Sequence, residues 1–190
     1  MPMIVEYKNE LKQLKILHAT PQEMSGFVWP DDVSYVIISG DFLDELIIPE
    51  GVTELYCFNL GLKKLHLPST AEYVYASNNC LLELDVPPKI SFLDVSYNPL
   101  YNLRFLDNTV PELLRLKVRD TYISSLRIRI SKKAYLNACG CRYLVNFCPE
   151  TSYAYRSFLE YKLELDEFPT EPEEWVVTPL EESLHTGDHA

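Results

Sequence analysis

The chain has 190 residues, enough for one domain with a sizeable core, and 47% of them are apolar, an ordinary share. No apolar run approaches the roughly 20 residues of a membrane-spanning helix, and the opening stretch MPMIVEYKNELKQLKIL places Glu6 and Glu10 where a secretory signal needs an apolar core. The formal charge is −11, but residues 160–190 hold ten Asp/Glu against one Lys, a net of −9, while residues 104–133 carry a local +5; that balance argues against nucleic acid as the partner.

Residues 1–13 are predicted to form an N-terminal cap, with MIVEYKNELKQ lying ahead of a repeating frame. From residue 14 the apolar pattern recurs every 19 residues: LKILHATPQEMSGFVWP (14–30), VSYVIISGDFLDELIIP (33–49), VTELYCFNLGLKKLHLP (52–68), AEYVYASNNCLLELDVP (71–87), then a segment from Ile90. One column reads Leu14, Val33, Val52, Ala71, Ile90. The next reads Leu17, Val36, Leu55, Val74, Leu93, and a third Ala19, Ile38, Cys57, Ala76, Val95. Two further columns hold Met24, Leu43, Leu62, Leu81, Leu100 and Phe27, Leu46, Leu65, Leu84, Leu103, and Pro30, Pro49, Pro68 and Pro87 close the units. After a four-residue insertion near 107–110 the frame continues through Leu113, Leu116, Val118, Ile123 and Leu126. It resumes one residue later again through Leu136, Ala138, Cys141 and Tyr143. Seven units are expected over 14–151, starting near residues 14, 33, 52, 71, 90, 113 and 133, and a short fixed period means a solenoid. Residues 152–165 are predicted to close it as a short capping helix, since Tyr155, Phe158, Leu159 and Leu163 fall at helical spacing. Residues 166–190, acidic and proline-containing, are expected to be a flexible tail.

The frame LxxLxLxxNxLxxLxLP resembles the leucine-rich repeat, and the 19-residue unit with its terminal proline is similar to the short bacterial and viral members of that family. The resemblance covers about residues 14–150. It implies an α/β-class solenoid of mostly β content: an open arc with a short-stranded parallel sheet on its concave face and extended, polyproline-like convex segments. The residues support the same picture directly. Alternation in each LxL puts both apolar side chains on one face of a strand. A buried Asn after the strand can bond unpaired backbone groups in its own and a neighbouring coil. That column reads Asp41, Leu60, Asn79, Asn98, Thr121, Cys141, so the polar ladder is expected to be incomplete.

No catalytic constellation is legible. His18, His66, His185 and His189 are scattered, and there is no glycine-rich phosphate loop. Cys139, Cys141 and Cys148 invite a metal reading, but Cys57, Cys141 and Cys148 fall in repeat slots where Cys acts as a small apolar residue, and paired CxxC spacing is missing. Neither metal nor cofactor is expected, and the chain is read as a non-enzyme. Five cysteines, an odd count, and the lack of an Asn-x-Ser/Thr sequon point to a reducing, intracellular setting, cytoplasmic or within a virion.

The residues flanking each LxL project from the concave face. They place Tyr35, Tyr56, Phe58, Tyr73, Tyr75 and Phe92 in its middle and Arg115, Lys117 and Arg119 towards its C-terminal side. Aromatic residues and Arg are enriched at protein interfaces, although aromatics also suit strands for reasons of packing alone. The expectation is a protein-binding module with a protein partner, acidic in charge. The competing expectations are an obligate subunit of a virion or multiprotein scaffold, and a recruiter for an enzyme on another chain.

Overall fold

Each unit supplies a short strand that sends apolar side chains inward, and the neighbouring coil supplies the hydrogen-bond partner that such a strand lacks on its own. In the computed structural model the strands stack into a solenoid of about six turns. The structure describes residues 2–106, 113–127, 135–138, 140–141, 144 and 146–148. The insertion near 107–110, the capping helix of 152–165 and the acidic tail of 166–190 lie outside the described residues, as do Cys139 and Tyr143.

The chain opens with β1 (Ile4–Lys8), a 3-10 turn (Asn9–Leu11), β2 (Gln13–Ala19) and the one-turn helix α1 (Pro21–Ser25). It continues through β3 (Tyr35–Gly40), β4 (Glu45–Ile47), β5 (Glu54–Tyr56), β6 (Lys64–His66), β7 (Tyr73–Tyr75), β8 (Glu83–Val86), β9 (Phe92–Asp94) and β10 (Asn102–Phe105). Last come β11 (Arg115–Lys117), β12 (Ser125–Arg127), β13 (Tyr135–Asn137) and β14 (Asn146–Cys148). An eight-stranded sheet runs in the order β1-β2-β3-β5-β7-β9-β11-β13. All its pairings are parallel except the first, where β1 lies antiparallel to β2 and closes that edge. On the opposite wall the extended segments also pair, as β4–β6, β8–β10 and β12–β14. The convex side was expected to be extended and polyproline-like; it is extended, but its alternating outward residues leave the backbone free to form short parallel ladders.

Between the walls lies one core. Val36, Leu55, Val74, Leu93, Leu116 and Leu136 reach it from the large sheet, and Leu43, Leu62, Leu81, Leu100 and Ile123 from the facing side. The polar column works as a backbone clamp. Asn79 Oδ1 accepts the N–H groups of Leu60 (2.9 Å) and Leu62 (3.2 Å), while its Nδ2 donates to the carbonyls of Cys57 (2.8 Å) and Ala76 (3.1 Å). Asn98 repeats this one coil on, accepting from Leu81 N–H (3.0 Å) and donating to the Ala76 and Val95 carbonyls, each at 3.0 Å. Farther along, Thr121 and Cys141 both donate to the Val118 carbonyl, at 2.9 and 2.8 Å. A hydroxyl and a thiol thus carry part of the asparagine's role.

Immediately before that column runs a second one, in left-handed backbone: Asn59 (φ 60°), Asn78 (57°), Tyr97 (57°), Asp120 (52°) and Gly140 (77°). Asn, Asp and Gly adopt this conformation readily. Tyr97 does not, and it is held there by its N–H bond to the Arg119 carbonyl (2.8 Å) and by the Arg119 guanidinium over its ring.

The first unit departs from the predicted frame. Leu14 pairs with Val36 and Ile16 with Ile38, so the first unit is displaced by three residues from the 19-residue alignment. Leu17, half-buried and paired with Ile4, stands outside the Val36 column. A bulge between Ile16 and Ala19, where His18 takes φ 56°, takes back one residue of that slip, since Ala19 pairs with Gly40. The rest of that unit forms α1, with Thr20 as N-cap, Pro21 in the first turn and Glu23 hydrogen-bonded to the Thr20 hydroxyl (2.7 Å) and to Met3 N–H (3.3 Å). Thr20-Pro21-Gln22-Glu23 is a capping-box pattern set within the apolar period. In the last unit Leu136 pairs with Leu116 as the frame predicts, and Leu144 is buried, 2% exposed.

A Cβ on Gly40 would run into the backbone of the bulged Ala19, whereas one on Gly26 would meet nothing within 4 Å. Gly40→Ala is therefore expected to destabilise by about 1–3 kcal/mol, and Gly26→Ala by far less. Thermal melts of the two variants check this, and equal midpoints would contradict the close approach at the bulge.

Candidate functional site

The outward residues of the large sheet form two rows, because the parallel register is in phase from β3 to β13. One row runs Tyr35, Glu54, Tyr73, Phe92, Arg115, Tyr135; the other runs Ile37, Tyr56, Tyr75, Asp94, Lys117, Asn137. Rungs about 4.8 Å apart are close enough for ring-on-ring contact. Tyr56 and Tyr75 stack at 4.4 Å with planes 7° apart, Tyr75 stacks on Phe92 at 4.4 Å, and Tyr35 tilts against Tyr56 at 5.5 Å. Four of the six predicted aromatics thus form one continuous stack that zigzags between the rows.

The other two are placed differently. Tyr73 stands beside the stack, 42% exposed. Phe58 lies past the end of β5, next to left-handed Asn59, exposed and outside the stack. Phe92 is less available than expected: it is 9% exposed, covered by Tyr75 on one side and by cations on the other. The Tyr56 hydroxyl donates to Glu54 Oε1 at 2.7 Å. Partial burial, then the Glu54 carboxylate, keep that hydroxyl protonated well above the ordinary tyrosine range.

The three predicted cations are not equivalent. Lys117 Nζ lies 3.3 Å from Asp94 Oδ2 and 5.5 Å from the Phe92 ring centre. Arg119 pairs with its neighbour Asp120 at 3.1 Å and covers Tyr97. Arg115 has no carboxylate partner among the described residues, and its guanidinium sits 5.9 Å from the Phe92 ring centre and 5.7 Å from that of Tyr135. The basic strip expected to steer an acidic partner is therefore neutralised at two of its three positions.

Beside Arg115 a cavity of about 360 Å³ opens between the rungs, lined by Tyr73, Ser91, Phe92, Leu114, Arg115 and Tyr135. Ser91, Leu114 and Tyr135 were not among the predicted site residues. A signal existed for Leu114: its column reads Ser34, Thr53, Glu72, Ser91 and then Leu114, an apolar residue in a polar series. Cys57, fully buried beneath this face, has its thiol pushed up to about 12 by desolvation, which removes it as a nucleophile.

A second set of exposed aromatics lies outside this face. Phe42, Tyr97, Tyr101 and Tyr122 stand 80%, 48%, 56% and 57% exposed along or beyond the turn that leaves the sheet. Among the described residues no group of three His, Cys, Asp or Glu is arranged to hold a metal ion, and no helix is long and apolar enough to cross a membrane. No protein-family model, no curated protein and no solved structure matches the chain.

Proposed function

We propose that the chain is a leucine-rich-repeat protein that acts as a non-enzymatic protein-binding module through the concave face of its large sheet. The observation that carries this reading is the unbroken stack Tyr35–Tyr56–Tyr75–Phe92 on one side of a rigid parallel sheet. Stacked rings lose little freedom when a partner covers them, and tyrosine offers an apolar ring with a hydroxyl that can stay wet. The repeat assignment is supported by the 19-residue period, the asparagine clamp and the left-handed column before it. The exposed aromatics on the turn edge favour a second reading, a permanent subunit of a virion or scaffold buried on more than one face. A monodisperse monomer in light scattering of the purified chain supports the first reading, and aggregation without a partner the second.

With a partner isolated by affinity purification, Tyr75→Ala is expected to weaken binding by roughly 2 kcal/mol, chiefly through faster dissociation. Lys64→Glu, on the opposite wall, is expected to leave affinity unchanged. A titration in which Lys64→Glu abolishes binding and Tyr75→Ala does not would assign function to the other face.

A further inference from the structure

The cavity beside Arg115 narrows the kind of partner, on the footing of the concave-face reading above. Its lining is mostly apolar: the rings of Tyr73, Phe92 and Tyr135 and the side chain of Leu114, with Ser91, the two tyrosine hydroxyls and the Arg115 guanidinium as its polar groups. Leu114 remains 54% exposed and Tyr73 42% exposed, so folding leaves apolar surface here in contact with water. Arg115 lies between the rings of Phe92 and Tyr135 without a carboxylate partner among the described residues. The rings restrict the guanidinium before any ligand arrives, which reduces the ordering cost on binding. A guanidinium takes a carboxylate through two parallel hydrogen bonds, a geometry that an ammonium cannot offer. The volume is at the small end for ligand sites and suits one large side chain.

We propose that this cavity seats a large apolar side chain from an extended segment of a partner protein, with a carboxylate adjacent in that segment bound to Arg115. A protein segment fits better than a free small acid. The cavity opens onto the stack from Phe92 back to Tyr35, three rung steps or about 14 Å, which an extended chain covers with about four residues. A small molecule would fill the cavity and leave the stack bare. A strongly polyacidic segment gains little over a single carboxylate, because Lys117 and Arg119 already have Asp94 and Asp120.

Selecting a displayed library of random linear peptides on the immobilised full chain tests this. The enriched peptides are expected to carry Phe, Tyr, Trp, Leu or Met next to Asp or Glu. They are expected to bind Arg115→Gln and Leu114→Ser about tenfold more weakly or worse, and Lys64→Glu unchanged. Both cavity side chains are exposed, so circular dichroism of these variants should match the parent. Peptides that lose binding on Tyr75→Ala but not on Arg115→Gln or Leu114→Ser overturn the cavity and leave the concave face standing. Peptides indifferent to all three changes overturn both. Enrichment of peptides without an acid, no enrichment at all, or competition by phenylacetate as strong as by the peptides overturns the cavity assignment as well.

Discussion

Leu93→Ala is expected to remove roughly 2–5 kcal/mol of stability, the largest effect of any single truncation proposed for this chain. Leu93 is completely buried and stands in register with Val74 on one side and Leu116 on the other. In a stacked coil each unit is held only by its neighbours, so a void at this position loosens two interfaces together. The walls cannot collapse to fill it, because the strand positions are set by backbone ladders on both sides. Leu82→Ala, at a leucine 47% exposed on the opposite wall, is the matched control and should fall within about 0.5 kcal/mol of the parent. Urea denaturation followed by circular dichroism measures both. If the two midpoints shift together, the inward assignment of the Val36–Leu136 column is wrong.

Asn98→Ala should cost roughly 3 kcal/mol, approaching the loss of a core leucine although little apolar area is removed. The side chain is 1% exposed and makes bonds that nothing else nearby can replace. Without it the Leu81 N–H and the Val95 carbonyl are left buried and unpaired, at about 1–3 kcal/mol for each stranded group. Asn102→Ala, on the exposed face of β10, is the control and should cost almost nothing. The column also predicts which substitution is tolerated. Leu60 occupies this slot in the earlier coil, and its N–H is served by Asn79 from the coil above, so the clamp tolerates an apolar residue only where the next coil retains its asparagine. Equal denaturation midpoints for the Asn98 and Asn102 variants would rule out the clamp.

Much of this architecture was legible residue by residue. The period of 19 and the inward alternation of Val36, Leu55, Val74 and Leu93 dictated stacked coils, since no other arrangement buries one leucine set from each of two walls at a constant spacing. The asparagine column was readable too, because a polar side chain recurring between apolar columns must find its partners in the backbone. The first unit was misread for an identifiable reason. Leu14/Ile16 and Leu17/Ala19 both satisfy the apolar columns, in two registers three residues apart, and the pairing of β2 with β3 takes the first of them. The capping box at Thr20 carried the information that a helix turn replaces the extended segment there, but a regular period masks a local signal.

The sequence by itself determined the solenoid, its two apolar walls and the side of each strand on which the aromatics emerge, because these follow from periodicity along one chain. Only the tertiary structure decided what those surface residues do to one another. Whether Tyr56 stacks on Tyr75, whether Phe92 is covered, whether Lys117 reaches Asp94 and whether Arg115 meets an acid among the described residues all depend on rotamers meeting across rungs 19 to 23 residues apart in the chain. No local pattern encodes those meetings. They are settled by the spacing of the strands and by which side chain reaches a neighbour first, and it is these contacts that single out the cavity beside Arg115 within an otherwise repetitive face.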